Sequence, residues 1–318
     1  MRILCDCPGE CSALPDPEAS WRRVKVADLS EEERNLWQVV SADNAVYVAS
    51  AKWLGEFHCL AVIRSASSSQ FTALCDAMNR NDELPSPCAV LALEGRNFRG
   101  QRDRSWVATR GNIHLSVFAR PSRRLSELGA GLTMLPVVSV VDAVRSLAGS
   151  DTEVDLGIKW VNDVWMSGRK VAGVLSTTHL RGNVVEGVVF GVGVNVEVAP
   201  EIEPTPFVPR AGCLADELRP GIRWSEVVPV LLRSLQRGYD GLLDDGPDPT
   251  FRRYQKESLV IGQNVDVVSD DGTRTPELQA RGVVTAIDEH LSLEFDGGRA
   301  RITRGRLVLD PSGVVPRD

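Results

Sequence analysis

A surplus of positive charge is missing from this chain. Its 318 residues carry 36 Lys and Arg against 43 Asp and Glu, a formal net charge of −7. Without a basic footprint for a polyanion, nucleic acid is not an expected partner. No apolar run approaches the ~20 residues needed to cross a bilayer, so no membrane is expected either. Met1-Arg2-Ile3-Leu4-Cys5-Asp6 lacks an apolar h-region, and no secretory signal is read there. The seven cysteines lack paired spacing, which predicts reduced thiols and a cytoplasmic location. Cys5, Cys7 and Cys11 form the only cluster. A zinc site there would need a distant fourth ligand, His58 or Cys59, and a frayed thiol-bearing terminus is the simpler expectation.

The length predicts about two domains. Residues 1–20 hold three prolines and little periodicity, so they read as an irregular segment. A helix is predicted over Ser30–Val40, followed by apolar stretches Ala45–Ala51 and Phe57–Ile63. Ser65–Asn81 has helical spacing, with a serine run as N-cap candidates. Ala89–Leu93 and Asn112–Ala119 read as buried strands. A long helix is predicted over about Leu125–Leu147, interrupted or begun again at Pro136. Pro200, Pro204, Pro206 and Pro209 mark an extended loop, and Ser225–Leu243 reads as a helix with Ser225 as its N-cap. Asp244–Thr250 is a breaker. Beyond Val260 the pattern changes to short strands: Asn264–Val268, Arg281–Ile287, Leu291–Phe295, Arg299–Thr303 and Leu307–Leu309. The division predicted is one domain over 21–250 and a small β-barrel over 256–318.

Gly157–Val196 is the most informative stretch. Val171–Leu175 and Val184–Val194 have the β-branched richness of buried strands. Before the first lie Lys159-Trp160-Val161-Asn162-Asp163, a tight Ser167-Gly168 turn, and Arg169-Lys170. A cation at a strand mouth, near an amide and a carboxylate, suits phosphate and carboxylate chemistry. An ordinary polar hairpin fits the periodicity equally well.

These blocks, with Gly191-Val192-Gly193-Val194-Asn195, resemble the core of the biotin protein ligases, whose pattern runs K-W-P-N-D, R-K-x-A-G-I-L, G-x-G-x-N. Val161 stands at the proline. The resemblance extends to an Arg/Gly-rich loop of the type G-R-G-R-R-G-R-x-W. Matching Gly95-Arg96 to its start needs extra residues before Trp106. Counting back from Trp106 without a gap puts its first arginine on Arg99 and the next glycine on Gly100, and this placement is preferred. Phe98 then takes a glycine position, Gln101 an arginine position, and Gly95 the place of a glutamine that contacts biotin. Ser67-Ser68-Ser69-Gln70 matches an S-T-N-Q segment, although simple helix capping would also explain it. Asn112-Ile113-His114-Leu115-Ser116 matches a strand in which His114 reads as structural.

The resemblance implies an α+β fold, a mixed sheet with helices on one face, followed by a small SH3-like β-barrel. It implies adenylation of biotin by ATP with Mg²⁺, then transfer to a lysine of a biotin carboxyl carrier domain of a carboxylase. Lys170 and Arg99 would be catalytic. Ser67, Ser68, Ser69, Arg99, Gly100, Lys170, Gly173 and Leu175 would bind biotin. Arg102, Arg104, Trp106, Lys159, Asn162, Asp163 and Asn195 would bind ATP, with Asp163 on the metal. Many bacterial relatives begin with a helix-turn-helix repressor module; the strand-like residues 21–66 argue for the type without one. A homodimer stays open. So do two alternatives: a lipoate or octanoate protein transferase, and a ligand-binding homologue without turnover. The Gly95–Ser105 loop, crowded with Arg96, Arg99, Arg102 and Arg104, is predicted to be mobile until an anion binds.

Overall fold

A computed structural model describes residues 2–15, 21–53, 55–149, 153–270, 277–296 and 301–309. The chain opens with strand β1 (Arg2–Cys5) and a single helical turn, α1 (Pro8–Cys11). β1 lies inside the main sheet, antiparallel to β3 and parallel to β4. The irregular, frayed start predicted for 1–20 is therefore corrected over its described part. Cys5, Cys7 and Cys11 are buried in the core, with the sulphurs of Cys7 and Cys11 3.8 Å apart. Among the described residues no group of three His, Cys, Asp or Glu is placed to hold a metal ion.

Next come β2 (Arg22–Lys25), α2 (Glu31–Val40), β3 (Ala45–Ser50) and β4 (Cys59–Ile63). Ser30 caps α2 through a capping box with Glu33. α3 covers only Gln70–Asn79, shorter than predicted, and the serines before it form a loop. β5 (Cys88–Ala92) leads to a hairpin of β6 (Phe98–Arg99) and β7 (Ser105–Trp106). β8 (Ile113–Ala119), β9 (Arg123–Arg124), α4 (Leu125–Leu128) and α5 (Gly131–Ala148) follow. The break in the long helix falls at Gly129, whose φ of +49° glycine adopts cheaply, and Pro136 sits inside an unbroken α5. Residues 125–148 match a membrane span in length and composition, yet α5 packs on the sheet and on α7 as a core helix.

β10 (Leu156–Lys159), β11 (Asp163–Met166), β12 (Arg169–Arg181) and β13 (Val184–Val194) form one edge of the sheet. α6 (Leu214–Glu217), α7 (Trp224–Asp245) and α8 (Asp248–Lys256) complete this body. α7 begins before Ser225: Arg223 holds the N-cap position, and its N–H donates back to Glu226 at 3.1 Å. α8 packs on α5 and α7, with Arg253 2.7 Å from both Asp142 and Glu257. The domain boundary predicted between 250 and 256 would cut this helix, which belongs to the first body.

The strand order is β10-β11-β12-β13-β8-β5-β4-β1-β3-β2, with β9 also paired to β13. Both faces carry helices, not one as predicted. In β4 and β5 every residue is buried and apolar, so each face needs a cover. Leu60, Val62, Ala89 and Leu91 face a core shared with α5 and α7. Cys59, Ala61, Ile63, Val90 and Ala92 face α2 and α3.

The C-terminal unit is a small antiparallel sheet, as the SH3-like expectation required. It contains β14 (Asn264–Val268), β15 (Leu278–Ile287), β16 (Leu293–Phe295), β17 (Arg301–Ile302) and β18 (Arg306–Val308), in the order β17-β16-β15-β14-β18. The turns predicted at 270–272 and 296–298 lie mostly outside the described residues. Val265, Val284, Leu293 and Leu307 join the same apolar core as α5 and α7. Trp160 Nε1 donates to the Leu291 carbonyl at 2.8 Å, and Tyr254 Oη to the Val161 carbonyl at 2.9 Å. The Lys159–Asp163 turn is thus tied down from two sides.

Candidate active site

Glycines open the apolar sheet on the α3 face. Strand register sets Gly173, Gly193 and His114 side by side across β12, β13 and β8, with Leu175, Gly191 and Ser116 in the next row. A Cβ on Gly193 would stand 2.4 Å from the Trp106 ring, and one on Gly191 2.9 Å from Phe71. Bare strand is what lets two aromatic rings close over this floor. The cavity they enclose is about 480 Å³, and Ser69, Phe98, Lys159, Asp163, Lys170 and Asn195 are also in its wall.

One end of the cavity is cationic. The β11–β12 turn uses Ser167 at φ +50° and Gly168 at φ +73°, the two left-handed positions of a type I′ hairpin. It delivers Lys170 at the start of β12, where its N–H bonds the Arg210 carbonyl at 3.1 Å and its C=O the Gly212 N–H at 2.9 Å. Lys170 Nζ lies 2.7 Å from Asp163 Oδ1 and 5.8 Å from the Trp106 ring centroid. A Cβ on Gly173 would touch both members of the pair at 3.3–3.4 Å, so the glycine keeps the space above them open. Lys159 is 4 % exposed, donates to the Phe207 carbonyl and sits 4.6 Å from the Trp165 ring centroid. Burial lowers its pKa to about 8, and nearby Lys170, Arg306 and Arg104 push the same way against Asp163.

The Arg/Gly loop has a defined course in this structure. It folds back as the β6–β7 hairpin, with the Gly100 N–H on the Arg104 carbonyl at 2.6 Å. Like charges are tolerated because Asp270, after β14, pairs with Arg102 at 3.1 Å and stands 3.8 Å from Arg104. Asp270→Asn should therefore loosen the ligand-free hairpin. Because half-exposed pairs are weak, the expected rise in tryptic cleavage at Arg102 and Arg104 is about threefold. Equal cleavage of variant and parent, mapped by mass spectrometry, would contradict this role.

Of the residues singled out in the sequence, Ser69, Arg99, Gly100, Arg102, Arg104, Trp106, Lys159, Asn162, Asp163, Lys170, Gly173, Leu175 and Asn195 line the one cavity. Ser67 and Ser68 do not. They are exposed, and their carbonyls accept from Asn97 Nδ2 at 3.3 Å and Gln70 Nε2 at 3.2 Å. The Ser69 side chain makes no capping bond, so the capping explanation of the serine run fails there. Asn162 Nδ2 is occupied by the Val174 carbonyl at 2.5 Å, bracing the turn against β12. Asn195 Nδ2 donates to the Gly212 carbonyl at 2.9 Å, while its buried Oδ1 has no partner among the described residues. His114 is structural, as read: Nδ1 accepts from Trp106 Nε1 at 3.2 Å and Nε2 donates to the Thr109 carbonyl at 3.1 Å. Burial lowers its pKa to about 4, so the ring is neutral. Sequence reasoning missed Phe71, Phe207, Arg304 and Arg306 in the wall. The last two arrive from the C-terminal unit, across a separation that no local pattern could span.

The chain is similar to several known proteins. The Biotin/lipoate A/B protein ligase family matches residues 62–195. A biotin–[acetyl-CoA-carboxylase] ligase of Mycobacterium tuberculosis is 31 % identical over 218 residues, 68 % of this chain and 74 % of that protein. The chain belongs to this ligase family. The bifunctional ligase/repressor BirA of Bacillus subtilis is 28 % identical over 194 residues, 61 % of this chain and 58 % of that protein. The chain thus spans under two thirds of that relative's length. The solved biotin protein ligase from Aquifex aeolicus, in complex with biotin and ATP, shares the fold at a TM-score of 0.59 and 20 % identity. That match covers 79 % of this chain and 98 % of the other.

Proposed function

We propose that this chain is an ATP-dependent biotin–protein ligase. The observation that carries the reading is an aromatic-walled apolar slot, floored by glycines, that ends at the Lys170–Asp163 pair. An acyl chain ending in a carboxylate matches that gradient from apolar wall to cation. The carboxylate oxygen attacks the α-phosphorus of ATP, an acyl-phosphate bond forms and pyrophosphate leaves. Lys170 stabilises the negative charge that grows between the two groups, already in place and without reorganisation. A carrier lysine amine then attacks the acyl carbon, losing its proton as AMP departs, and an amide is left.

On the nucleotide side, Lys159, Arg102 and Arg104 supply cations for the phosphates. Asn195 Oδ1, buried and unpartnered, can accept from the adenine amine. Mg²⁺ would enter with the triphosphate and neutralise part of its charge. Asp163, a single carboxylate with one oxygen not on Lys170, suits an ion held largely by substrate phosphates. The carrier domain of a carboxylase is the proposed acceptor, and seven free thiols fit a cytoplasmic location. In a mixture of this chain, biotin, ATP and a carrier domain, intact mass should show one biotinyl group gained by the carrier. A carrier left unmodified by biotin but acylated by octanoate or lipoate would overturn the reading in favour of the transferase alternative.

A pH dependence follows from Lys159. Its ammonium is charged below about pH 8 and neutral above it, so attraction for the triphosphate fades as pH rises through that value. ATP affinity, titrated calorimetrically in parent and Lys159→Met, should fall across this range in the parent alone. An equal pH profile in both would contradict the assignment.

A further inference from the structure

β6 and β7 form a two-stranded sheet of their own, so no strand ladder fixes the arginine hairpin over the floor of the cavity. Asp270, from the C-terminal unit, holds its arginines at Arg102 and Arg104. Its base, where Phe98 and Trp106 pair in register, rests on one side chain of the main sheet, His114.

His114 stands on β8 between Gly193 of β13 and Ala92 of β5, neighbours small enough to leave its ring room. The ring meets both strands of the hairpin. Phe98 packs edge-on against it, with ring centres 5.7 Å apart and planes at 76°. Gly95 allows this approach, since a Cβ there would lie 2.2 Å from the Phe98 ring. From the other strand, Trp106 Nε1 donates to His114 Nδ1 at 3.2 Å, while His114 Nε2 meets the Thr109 carbonyl at 3.1 Å. An indole N–H can only donate and a carbonyl can only accept, so the proton sits on Nε2 and a single neutral tautomer serves both partners. The indole held in this way is the one that lies against bare Gly193 and 5.8 Å from Lys170 Nζ.

We infer that His114 is a positioning residue for adenylate formation: it accepts the Trp106 N–H, backs the Phe98 ring, and so pins the base of the arginine hairpin with the indole set beside Lys170. It acts through Trp106 and not on the reacting atoms. This rests on the ligase reading of the site and adds a residue that aligns it.

Three variants of the full chain test the pin. His114→Leu removes both hydrogen bonds. His114→Asn puts a carboxamide oxygen near the place of Nδ1, where it can accept from Trp106. The longer carboxamide of His114→Gln reaches the place of Nε2 and can serve only Thr109. Single-turnover adenylate formation at saturating biotin and ATP should fall about tenfold in His114→Leu, the scale of a misplaced positioning group. His114→Gln should fall alike, and His114→Asn should recover most of the rate. The KM for biotin should stay at the parental value in all three. Tryptic cleavage at Arg102 and Arg104 should rise in His114→Leu and His114→Gln and stay parental in His114→Asn. A parental rate in His114→Leu, equal recovery by Gln and Asn, no recovery by Asn, or a raised KM for biotin with the rate intact would overturn the inference. If His114→Leu does not fold, the contrast between Asn and Gln decides. A parent protein that forms no adenylate would instead overturn the ligase reading, and the pin would still be judged by the cleavage pattern.

Discussion

Lys170→Ala should lower the rate of adenylate formation by roughly 100- to 1000-fold, the cost of removing one preorganised charge from a developing anion. The backbone of residue 170 is held by Arg210 and Gly212 regardless of its side chain, so the strand start should survive the change. What disappears is the ammonium 2.7 Å from Asp163, at the end of the apolar slot. Asp163 then stands in the cavity without its cation, and its charge opposes the entering carboxylate and triphosphate. Lys170→Arg should not restore the rate, because a forked guanidinium cannot occupy a point-charge site pressed against Gly173 and Trp106. Single-turnover formation of the adenylate, with folding checked by circular dichroism, separates this loss from misfolding. Near-parental rates in Lys170→Ala would mean that the reacting carboxylate lies elsewhere.

Gly193→Ala should cost nearly as much through one methyl group. The new Cβ would stand 2.4 Å from Cζ2 and 2.6 Å from Cε2 of Trp106, closer than any real contact. The indole would have to leave the strand, breaking its bond to His114 and its place beside Lys170. Displacement of a positioning group by about 1 Å can cost on the order of a hundredfold, and kcat/KM should fall by that much. Because the loss acts through the ring, Gly193→Ala and Trp106→Ala should be strongly non-additive when combined. Additive losses would mean that the methyl acts on something other than Trp106.

Where chemistry and local pattern coincide, the sequence was sufficient. β13 has the bounds read from its β-branched run, and the Ser167-Gly168 turn places Arg169-Lys170 at a strand start as inferred. Misreadings arose where the deciding partner is remote. Arg2–Cys5 becomes an inner strand only by pairing with β3 and β4, some fifty residues on, while the prolines after it signal disorder locally. Arg102 and Arg104 read as mutually repelling until Asp270 reaches them from beyond β14. Ser225 has a cap's chemistry, but Glu226 already satisfies the helix start from the third position. The serine run read as one unit, yet the loop turns Ser67 and Ser68 to solvent and leaves only Ser69 in the cavity. Gly95 and Phe98 were both legible as departures; that one ring fills the other's space needed coordinates.

Pyrophosphate release by the purified chain, with biotin and ATP present together and each omitted in turn, tests the central claim most directly. The account predicts release that requires both substrates and collapses in Lys170→Ala. Release independent of biotin, or none with both substrates present, would contradict it.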